Sequence, residues 1–359
     1  MRTYLELRSL QPARDFFQTE PPVFVLAAAV FACIHYPGGI GMDNPNTDMQ
    51  LCSVIRQNLE SCILGKSKEI GLLMTALLAG GHVLLEDVPG TGKTQLVKAL
   101  ARSIGGQFRR IQCNPDLLPT DITGVSIFHP RDEQFVFRPG PVMANILLAD
   151  EINRATTKTQ SALLEVMEER RVSVDGFTHD LPSPFLLFAT QNPIEFEGTY
   201  TLPEAQLDRF MVKLTLGYPD EATELQMVLS HQSGQLLDRL EQVAEVEDIL
   251  RIQERVRRVH IDEALGDYLI RIVRGTREHT GVQLGASPRA AISLLGAVKA
   301  YAFLQSRDYV LPDDIKDLVP SVLGHRLLLH TESRINGLSP EEVIDEVVQQ
   351  TKVPIRLER

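Results

Sequence analysis

A glycine-rich turn followed by lysine and threonine is the stretch of this sequence best suited to binding phosphate. Its residues are Pro89, Gly90, Thr91, Gly92, Lys93 and Thr94. The backbone amides of such a turn, and the N-terminus of a helix that follows it, point at an anion. Lys93 is placed to reach the β- and γ-phosphates, and the Thr94 hydroxyl to ligate Mg²⁺. The stretch therefore predicts a site for ATP and its Mg²⁺ ion.

The residues on either side of this turn have the patterns of a buried strand and a helix. The apolar run Val83–Leu85 is too short for a helix and is typical of a parallel strand. Beyond the turn, Leu96, Leu100 and Ile104 recur every four residues and predict one apolar helix face. The phosphate-loop pattern asks for Gly where this chain has Asp87. We expect this departure to matter little, because the amides that wrap phosphate come mainly from later residues of the turn.

Two further polar groups stand at the ends of predicted strands. An apolar run from Asn145 ends in Asp150 and Glu151, and the run Phe185–Thr190 is followed closely by Asn192. In a parallel sheet, ligands bind at the carboxyl ends of the strands. Asp150 is then suited to the Mg²⁺ shell, and Glu151 to taking a proton from an attacking water. Asn192 alone is typical of a turn, but beside Glu151 it is suited to orienting that water or contacting the γ-phosphate.

The elements that must position these groups differ between the two halves of the chain. Residues 124–141 and 171–181 read as β-hairpins, the second around Asp175–Gly176. After Tyr218–Pro219 the strand patterns give way to helical ones. One of these helices starts at Ser287–Pro288, which puts Arg289 in its first turn. Because the helix dipole disfavours a cation there, Arg289 is expected to face an anion, for which an ATP phosphate is a candidate.

Composition limits the classes of protein that this chain can belong to. Its 359 residues suggest two or three domains, and 43% hydrophobic with 23% charged residues is typical of a globular protein. The net charge of −11 disfavours general binding of duplex nucleic acid. The four cysteines lack metal-ligand spacing and are expected to be reduced thiols of a cytoplasmic protein. The apolar run 23–34 is too short for a membrane span.

Together these segments resemble the MoxR family of AAA+ ATPases, which belongs to the helix-2-insert clade. The resemblance covers the chain from about residue 51 onward. It rests on Val-Pro-Gly-Thr-Gly-Lys-Thr within 80–94, Leu-Ala-Asp-Glu-Ile-Asn-Arg-Ala at 148–155, Lys-Thr-Gln-Ser-Ala-Leu-Leu-Glu-Val-Met-Glu-Glu-Arg at 158–170, Ala-Thr-Gln-Asn-Pro at 189–193 and Leu-Pro-Glu-Ala-Gln-Leu-Asp-Arg-Phe at 202–210.

The resemblance implies specific roles for the candidate residues. The turn at 90–94 matches Walker A, and Asp150 with Glu151 matches Walker B. Asn192 matches sensor 1 and Arg289 matches sensor 2. Arg209 stands where the family carries an arginine finger that reaches the ATP of the next subunit, although it could instead pair with Asp208. Arg154 is a second candidate for that role. The hairpins at 124–141 and 171–181 match the helix-2 insert and the pre-sensor-1 hairpin, and both are expected to face the pore of a ring.

We therefore expect an α/β architecture of three parts. Residues 1–50 form an atypical, poorly ordered extension, residues 51–218 an αβα core with a five-stranded parallel sheet, and residues 219–359 an all-α lid. ATP is expected between core and lid, with Arg289 contacting it from the same chain.

The resemblance also implies a hexameric ring of identical subunits with a chaperone-like role. Such a ring would remodel or activate a partner, often a protein with a von Willebrand factor A domain, or assist metal cofactor insertion. One alternative is a DNA-remodelling or chelatase-type motor, against which the acidic charge argues. Another is a nucleotide-dependent binding switch without hydrolysis, against which the paired acids Asp150 and Glu151 argue.

Overall fold

The computed structural model describes residues 45–131, 133–192, 199–231 and 236–354. The expectation of an N-terminal extension at 1–50 thus falls mostly outside the described residues. Its last six residues are described, and they are helical. Helix α1 runs over Pro45–Cys62, so it begins six residues before the regular apolar pattern that starts at Leu51.

All strands of the described residues except the last two lie where the sequence predicts β structure. They are β1 (His82–Glu86), β2 (Phe108–Gln112), β3 (Gly124–His129), β4 (Gln134–Pro139), β5 (Ile146–Asp150), β6 (Arg171–Val174), β7 (Phe177–Asp180), β8 (Leu186–Gln191), β9 (Phe210–Leu214), β10 (Val282–Leu284) and β11 (Leu328–Leu329).

The remaining helices surround these strands. They are α2 (Ser67–Ala79), α3 (Lys93–Ser103), α4 (Pro119–Thr123), α5 (Thr157–Glu169), α6 (Glu204–Leu207), α7 (Glu221–His231), α8 (Val246–Arg257), α9 (Glu263–Glu278), α10 (Pro288–Leu304), α11 (Pro312–Leu323), α12 (Thr331–Ile335) and α13 (Pro340–Gln350).

Five strands form the predicted parallel sheet, in the order β2-β5-β8-β1-β9. The middle of β1 is buried on both faces, which explains its unbroken apolar run. Successive side chains of this strand enter different clusters. Val83 and Leu85 join the cluster that also contains lid residues, whereas Leu84 joins the cluster around α5. The sheet therefore has helices on both faces, and its carboxyl edge is left for ligands.

Both predicted hairpins form beside this sheet. Strands β3 and β4 pair antiparallel, as do β6 and β7. The turn of the second hairpin has positive φ at Asp175 (52°) and Gly176 (83°), the conformation that an Asp-Gly turn favours. The Phe137 ring stacks on His179 with ring centres 4.0 Å apart, so the two hairpins contact each other.

The C-terminal part is helical, as expected, and also contains a short ribbon in which β10 pairs with β11. Helix α10 starts as predicted, with the Ser287 hydroxyl accepting a hydrogen bond from Ala290 N (3.0 Å) and Pro288 in the first turn. Throughout the part of the chain that the structure describes, no helix is both long and apolar enough to cross a membrane.

Candidate functional site

The loop between β1 and α3 has the backbone conformation of a phosphate cradle. Gly90 and Gly92 have φ of 87° and 90°, which other residues adopt only with strain. A side chain added at either glycine would meet open space, so the backbone itself is exposed to a ligand. Gly92 caps α3 without a side-chain hydrogen bond. The amides of the first helical turn are thus oriented towards an anion.

The loop borders a cavity of about 350 Å³ at the carboxyl edge of the sheet. Besides residues of the loop itself, Asp150, Glu151, Thr190 and Asn192 line this cavity. The structure therefore brings together the predicted phosphate loop, the two predicted acids and the predicted polar asparagine.

Lys93 extends along the inside of the loop. Its Nζ donates hydrogen bonds to the carbonyl oxygens of Asp87 (2.7 Å) and Val88 (3.0 Å). Burial lowers the pKa of Lys93, while the nearby charges of Asp87, Asp150 and Glu151 act in the opposite direction. The ammonium group is thus held beside the cavity by two carbonyl oxygens, and a phosphate can take the place of these acceptors.

Asp150 is anchored by two residues of neighbouring strands. Its Oδ1 accepts a hydrogen bond from Thr190 Oγ1 (2.5 Å), and its Oδ2 accepts one from Arg110 Nη2 (2.6 Å). The Thr94 hydroxyl lines the same cavity. Hydroxyl and carboxylate oxygens are the donors that Mg²⁺ prefers, so this pair of residues fits the ion.

Glu151 has an unusual backbone conformation, with φ 56° and ψ 52°. Its backbone N–H donates to Thr190 Oγ1 (2.8 Å), and its Oε2 accepts a hydrogen bond from Gln112 Nε2 (2.9 Å). Arg154 Nη1 lies 3.3 Å from the same carboxylate oxygen. A left-handed conformation of a non-glycine residue is uncommon and often occurs at functional sites.

Three residues of this site were absent from the sequence expectation: Arg110, Gln112 and Thr190. Each lies at or near the carboxyl end of a strand adjacent to β5. The register pairs Gln112 with Asp150. Arg110 precedes Gln112 by two positions, so both side chains lie on one face of β2. The sequence did offer one signal for two of these residues, because Arg110 and Gln112 are polar and alternate at the end of a predicted strand.

Similar proteins point to one family. Residues 82–212 match the model of the ATPase family associated with various cellular activities (AAA), and residues 274–347 match the AAA lid domain. The chain is 46% identical over 301 residues to chaperone MoxR1 of Mycobacterium tuberculosis, covering 81% of this chain and 79% of that protein. It is 32% identical over 301 residues to protein MoxR of Methylorubrum extorquens, covering 76% and 86%.

This chain belongs to the MoxR family of AAA+ ATPases. It is also 51% identical over 300 residues to protein YeaC of Bacillus subtilis, covering 84% of this chain and 94% of that one. A crystal structure of a proposed ATPase from Cytophaga hutchinsonii superposes with a TM-score of 0.81 at 38% identity, covering 86% and 97%. The five-stranded parallel sheet and helical lid are accordingly those of an AAA+ protein.

Arg209 and Arg289, two of the three arginines predicted to act on ATP, lie away from the cavity. Arg209 Nε is 3.0 Å from Glu168 Oε2, and Arg289 Nη1 is 3.1 Å from Glu168 Oε1. One carboxylate at the end of α5 thus holds an arginine that precedes β9 and an arginine of the lid. These charges, the Arg209 hydrogen bond foremost, lower the pKa of Glu168.

This placement corrects the expectation that Arg289 contacts ATP bound by its own chain. Arg209 directly precedes Phe210, which pairs with His82 at the start of β1. The phosphate loop follows the other end of β1. A strand of five residues spans roughly 16 Å, so the two arginines and the cavity lie at opposite edges of the sheet. Arg154, the second finger candidate, lies instead beside Glu151 of its own chain.

A larger cavity, of about 730 Å³, lies between helices α1, α2, α10 and α11. Its lining includes Arg56, Glu60, Lys68 and Asp317 but contains neither a glycine loop nor the strand-end acids. Size alone therefore does not identify the functional site, and the smaller cavity has the chemistry of a nucleotide site.

Proposed function

We propose that this chain hydrolyses ATP with Mg²⁺, in a ring of identical subunits that remodels or activates a partner protein. The observation that supports hydrolysis best is the convergence of Lys93, Asp150, Glu151 and Asn192 on one cavity at the carboxyl edge of the sheet. We assign residues 51–218 to the ATPase core and residues 219–359 to the lid.

Each residue at the cavity has a separate role in the proposed hydrolysis. The loop amides and Lys93 bind the phosphates, and Thr94 with Asp150 holds Mg²⁺. When bound, Mg²⁺ neutralises charge on the phosphate oxygens. Glu151 takes the proton of the attacking water, which Asn192 orients. Gln112 donates a hydrogen bond to one oxygen of Glu151, and the other acceptor sites of this carboxylate can take the hydrogen bond from the water.

The proposal of a ring rests on the edge that carries Arg209 and Arg289. Arginine is suited to stabilising the charge on a transferring phosphoryl group, and both arginines lie far from the cavity of their own chain. In a closed head-to-tail ring, this edge of one subunit can meet the cavity of the next. The hexameric number follows the resemblance to MoxR proteins.

The proposal of a protein partner rests on the two hairpins. Phe135 is 74% exposed and Phe177 is 72% exposed, and each lies on one of them. Exposed apolar side chains of this size are suited to contacts with another protein. A relative is named chaperone MoxR1, which supports the same role. We propose a von Willebrand factor A domain protein as the partner, with cofactor insertion as one use, in the cytoplasm.

Replacing Glu151 with Gln tests the proposed chemistry directly. The variant is expected to bind ATP and to hydrolyse it at least about 100-fold more slowly, because a general base typically contributes that much. Steady-state phosphate release and equilibrium binding of a fluorescent ATP analogue measure the two properties. Glu165→Gln, an exposed substitution on α5, is the matched control.

The outcomes separate the candidate functions. Near wild-type turnover of Glu151→Gln would remove Glu151 from the mechanism. A wild-type protein that binds ATP without turnover would instead be a nucleotide-dependent switch. Turnover that requires DNA would favour a DNA motor.

A further inference from the structure

Asp87 occupies the position at which the phosphate-loop pattern has glycine, and its side chain is not exposed to solvent as a surface acid would be. Only 5% of the residue is accessible. A buried carboxylate is costly unless it is paired or hydrogen-bonded. The partners of Asp87 therefore indicate what the acid does there.

Three backbone amides donate to the Asp87 carboxylate. Its Oδ1 accepts a hydrogen bond from Val88 N (2.8 Å) within the loop. Its Oδ2 accepts bonds from Leu216 N (2.9 Å) and Gly217 N (2.8 Å). Hydrogen bonds to an ionised acceptor are about twice as strong as neutral ones. Glycine at this position could make none of these three contacts.

Leu216 and Gly217 belong to the short connection between β9 and α7, the helix that begins at Glu221. A second charged side chain holds the same connection: Lys66 Nζ donates to the carbonyl oxygens of Leu216 and Tyr218. The connection is thus bound through its backbone by an acid and a base from two other parts of the core.

The main chain of Asp87 faces the nucleotide site. Its carbonyl oxygen accepts the hydrogen bond from Lys93 Nζ, and its N–H donates to Gln191 O (3.2 Å) at the end of β8. One residue therefore contacts the phosphate-binding lysine through its backbone and the connection to α7 through its side chain.

We propose that Asp87 is a positioning residue that couples nucleotide binding at the loop to the 215–220 connection and to α7. This inference rests on the proposed binding of ATP. When Lys93 turns from the carbonyl oxygens of the loop to a phosphate, the loop around Asp87 must adjust. Its carboxylate transmits that adjustment to Leu216 and Gly217, because two short hydrogen bonds fix them to the same side chain.

Hydrogen exchange of the connection tests the coupling. Deuterium uptake of peptides covering 214–231 is compared without nucleotide and at saturating AMP-PNP with Mg²⁺, in the wild type, Asp87→Asn and Asp87→Ala. Asn keeps the volume of Asp but turns an N–H₂ group towards amide donors. Glu86→Gln is the matched control. Glu86 directly precedes Asp87 in the sequence, but its carboxylate pairs with the side chain of Lys213 rather than with the amides of the connection.

In nucleotide-free protein, the Leu216 and Gly217 amides are expected to exchange about tenfold faster in Asp87→Asn, the factor that corresponds to losing a hydrogen bond of about 1.4 kcal/mol. AMP-PNP is expected to change uptake of 214–231 in the wild type and Glu86→Gln, and to lose most of that effect in both Asp87 variants. Unchanged protection of the Val83–Leu85 amides checks that the core is folded, and a fluorescent analogue checks saturation.

Two failures are distinguishable. If the wild type binds no AMP-PNP, the proposed nucleotide site is wrong. If both Asp87 variants bind the analogue and show the same nucleotide-dependent change as Glu86→Gln, the coupling role is wrong. If Asp87→Asn is unfolded, the coupling is tested with Asp87→Ala alone, provided that its Val83–Leu85 amides stay protected. Its nucleotide-dependent change in uptake is then compared with that of Glu86→Gln.

Discussion

His82, at the start of β1, is a buried side chain whose contacts suit only its neutral form. Its Nε2 lies 3.1 Å from Met167 O, and its Nδ1 accepts a hydrogen bond from Leu187 N (3.0 Å). The contacts assign the proton to Nε2, because a carbonyl oxygen can only accept. A second proton on Nδ1 would face the Leu187 N–H. Burial lowers the pKa of His82 to about 4.

This residue makes stability depend on pH in a defined direction. Between about pH 6.5 and 4, the unfolded chain binds a proton at this histidine while the folded chain does not. Stability is therefore full above pH 6.5 and is lost as pH falls. From pH 7 to pH 5 the loss is expected to be about 2 kcal/mol from His82 alone.

Urea unfolding of the wild type and His82→Gln at pH 7 and pH 5 measures this contribution. The variant is less stable at pH 7, but its stability should fall less between the two pH values. Exposed His330→Gln is the control and should keep the wild-type pH dependence. An equal pH dependence in His82→Gln and the wild type would contradict the assignment.

At this scale, the sequence predicts which residues line the cavity better than it predicts the residues that hold them by hydrogen bonds. Lys93, Asp150 and Glu151 could be placed at one edge of the sheet because each stands at a fixed spacing from a predicted strand. Arg110 and Thr190 could not, since they reach Asp150 only through the register of three strands. The expectation that Asp87 is a minor departure overlooked its three amide partners, two of which come from about 130 residues later in the sequence.

Each of the two hairpins carries a largely exposed phenylalanine, Phe135 on β4 and Phe177 on β7. Most of each residue is exposed, although the Phe135 ring lies beside that of Phe128 with ring centres 5.4 Å apart. Phe137 differs, since its ring stacks on His179 and joins the hairpins. Phe137 and His179 therefore join the two hairpins, whereas Phe135 and Phe177 are exposed and can contact a partner.

Replacing both Phe135 and Phe177 by Ser is expected to reduce partner binding without changing basal ATP hydrolysis by more than about twofold. Neither side chain lines the cavity, and exposed substitutions seldom alter stability by more than about 0.5 kcal/mol. Co-purification with the ATP-bound Glu151→Gln protein, followed by measured binding of the purified partner, checks this. Ile335→Ser is the control, as Ile335 is 79% exposed on α12 in the lid. Undiminished binding by the double variant would exclude the hairpins as the contact.

Element boundaries were predictable where a turn residue marks them. Asp175–Gly176 marks the second hairpin, and Ser287–Pro288 marks the start of α10. The ribbon of β10 and β11 has only three and two residues, too few to show any periodicity. The early start of α1 has a similar cause, because Pro45–Gln50 lacks the apolar repeat that begins at Leu51.

A polar contact that sequence patterns do not reveal joins the lid to the start of β9, beside the apolar cluster that the lid shares with the sheet. Ser287 Oγ donates to Asp208 Oδ2 (2.8 Å), and Arg326 Nε lies 3.0 Å from Asp208 Oδ1. Arg326 is buried, which lowers its pKa to about 10. This cluster docks the start of α10 at the amino edge of the sheet, which is why Arg289 lies far from the phosphate loop.

A mixture of two inactive variants tests whether Arg209 acts on a neighbouring subunit. Arg209→Ala subunits keep their own cavity, and Glu151→Gln subunits keep their arginine. Where the two kinds are adjacent, one complete site can form, so mixing should restore part of the ATP hydrolysis. Mixing Arg209→Ala with the double variant Arg209→Ala, Glu151→Gln is the control and should restore none. If the first mixture is as inactive as the control, Arg209 does not act between subunits.

If Arg209 and Arg289 act on a neighbouring subunit as proposed, each chain carries two different halves of a catalytic site, because both arginines lie across the sheet from the cavity. We would then expect the smallest active unit to be a pair of chains and a free monomer to have little turnover. Specific activity should fall on dilution once the chains separate, while ATP affinity per chain should change less. On this proposal, the edge that carries the arginines makes the rate of hydrolysis depend on assembly.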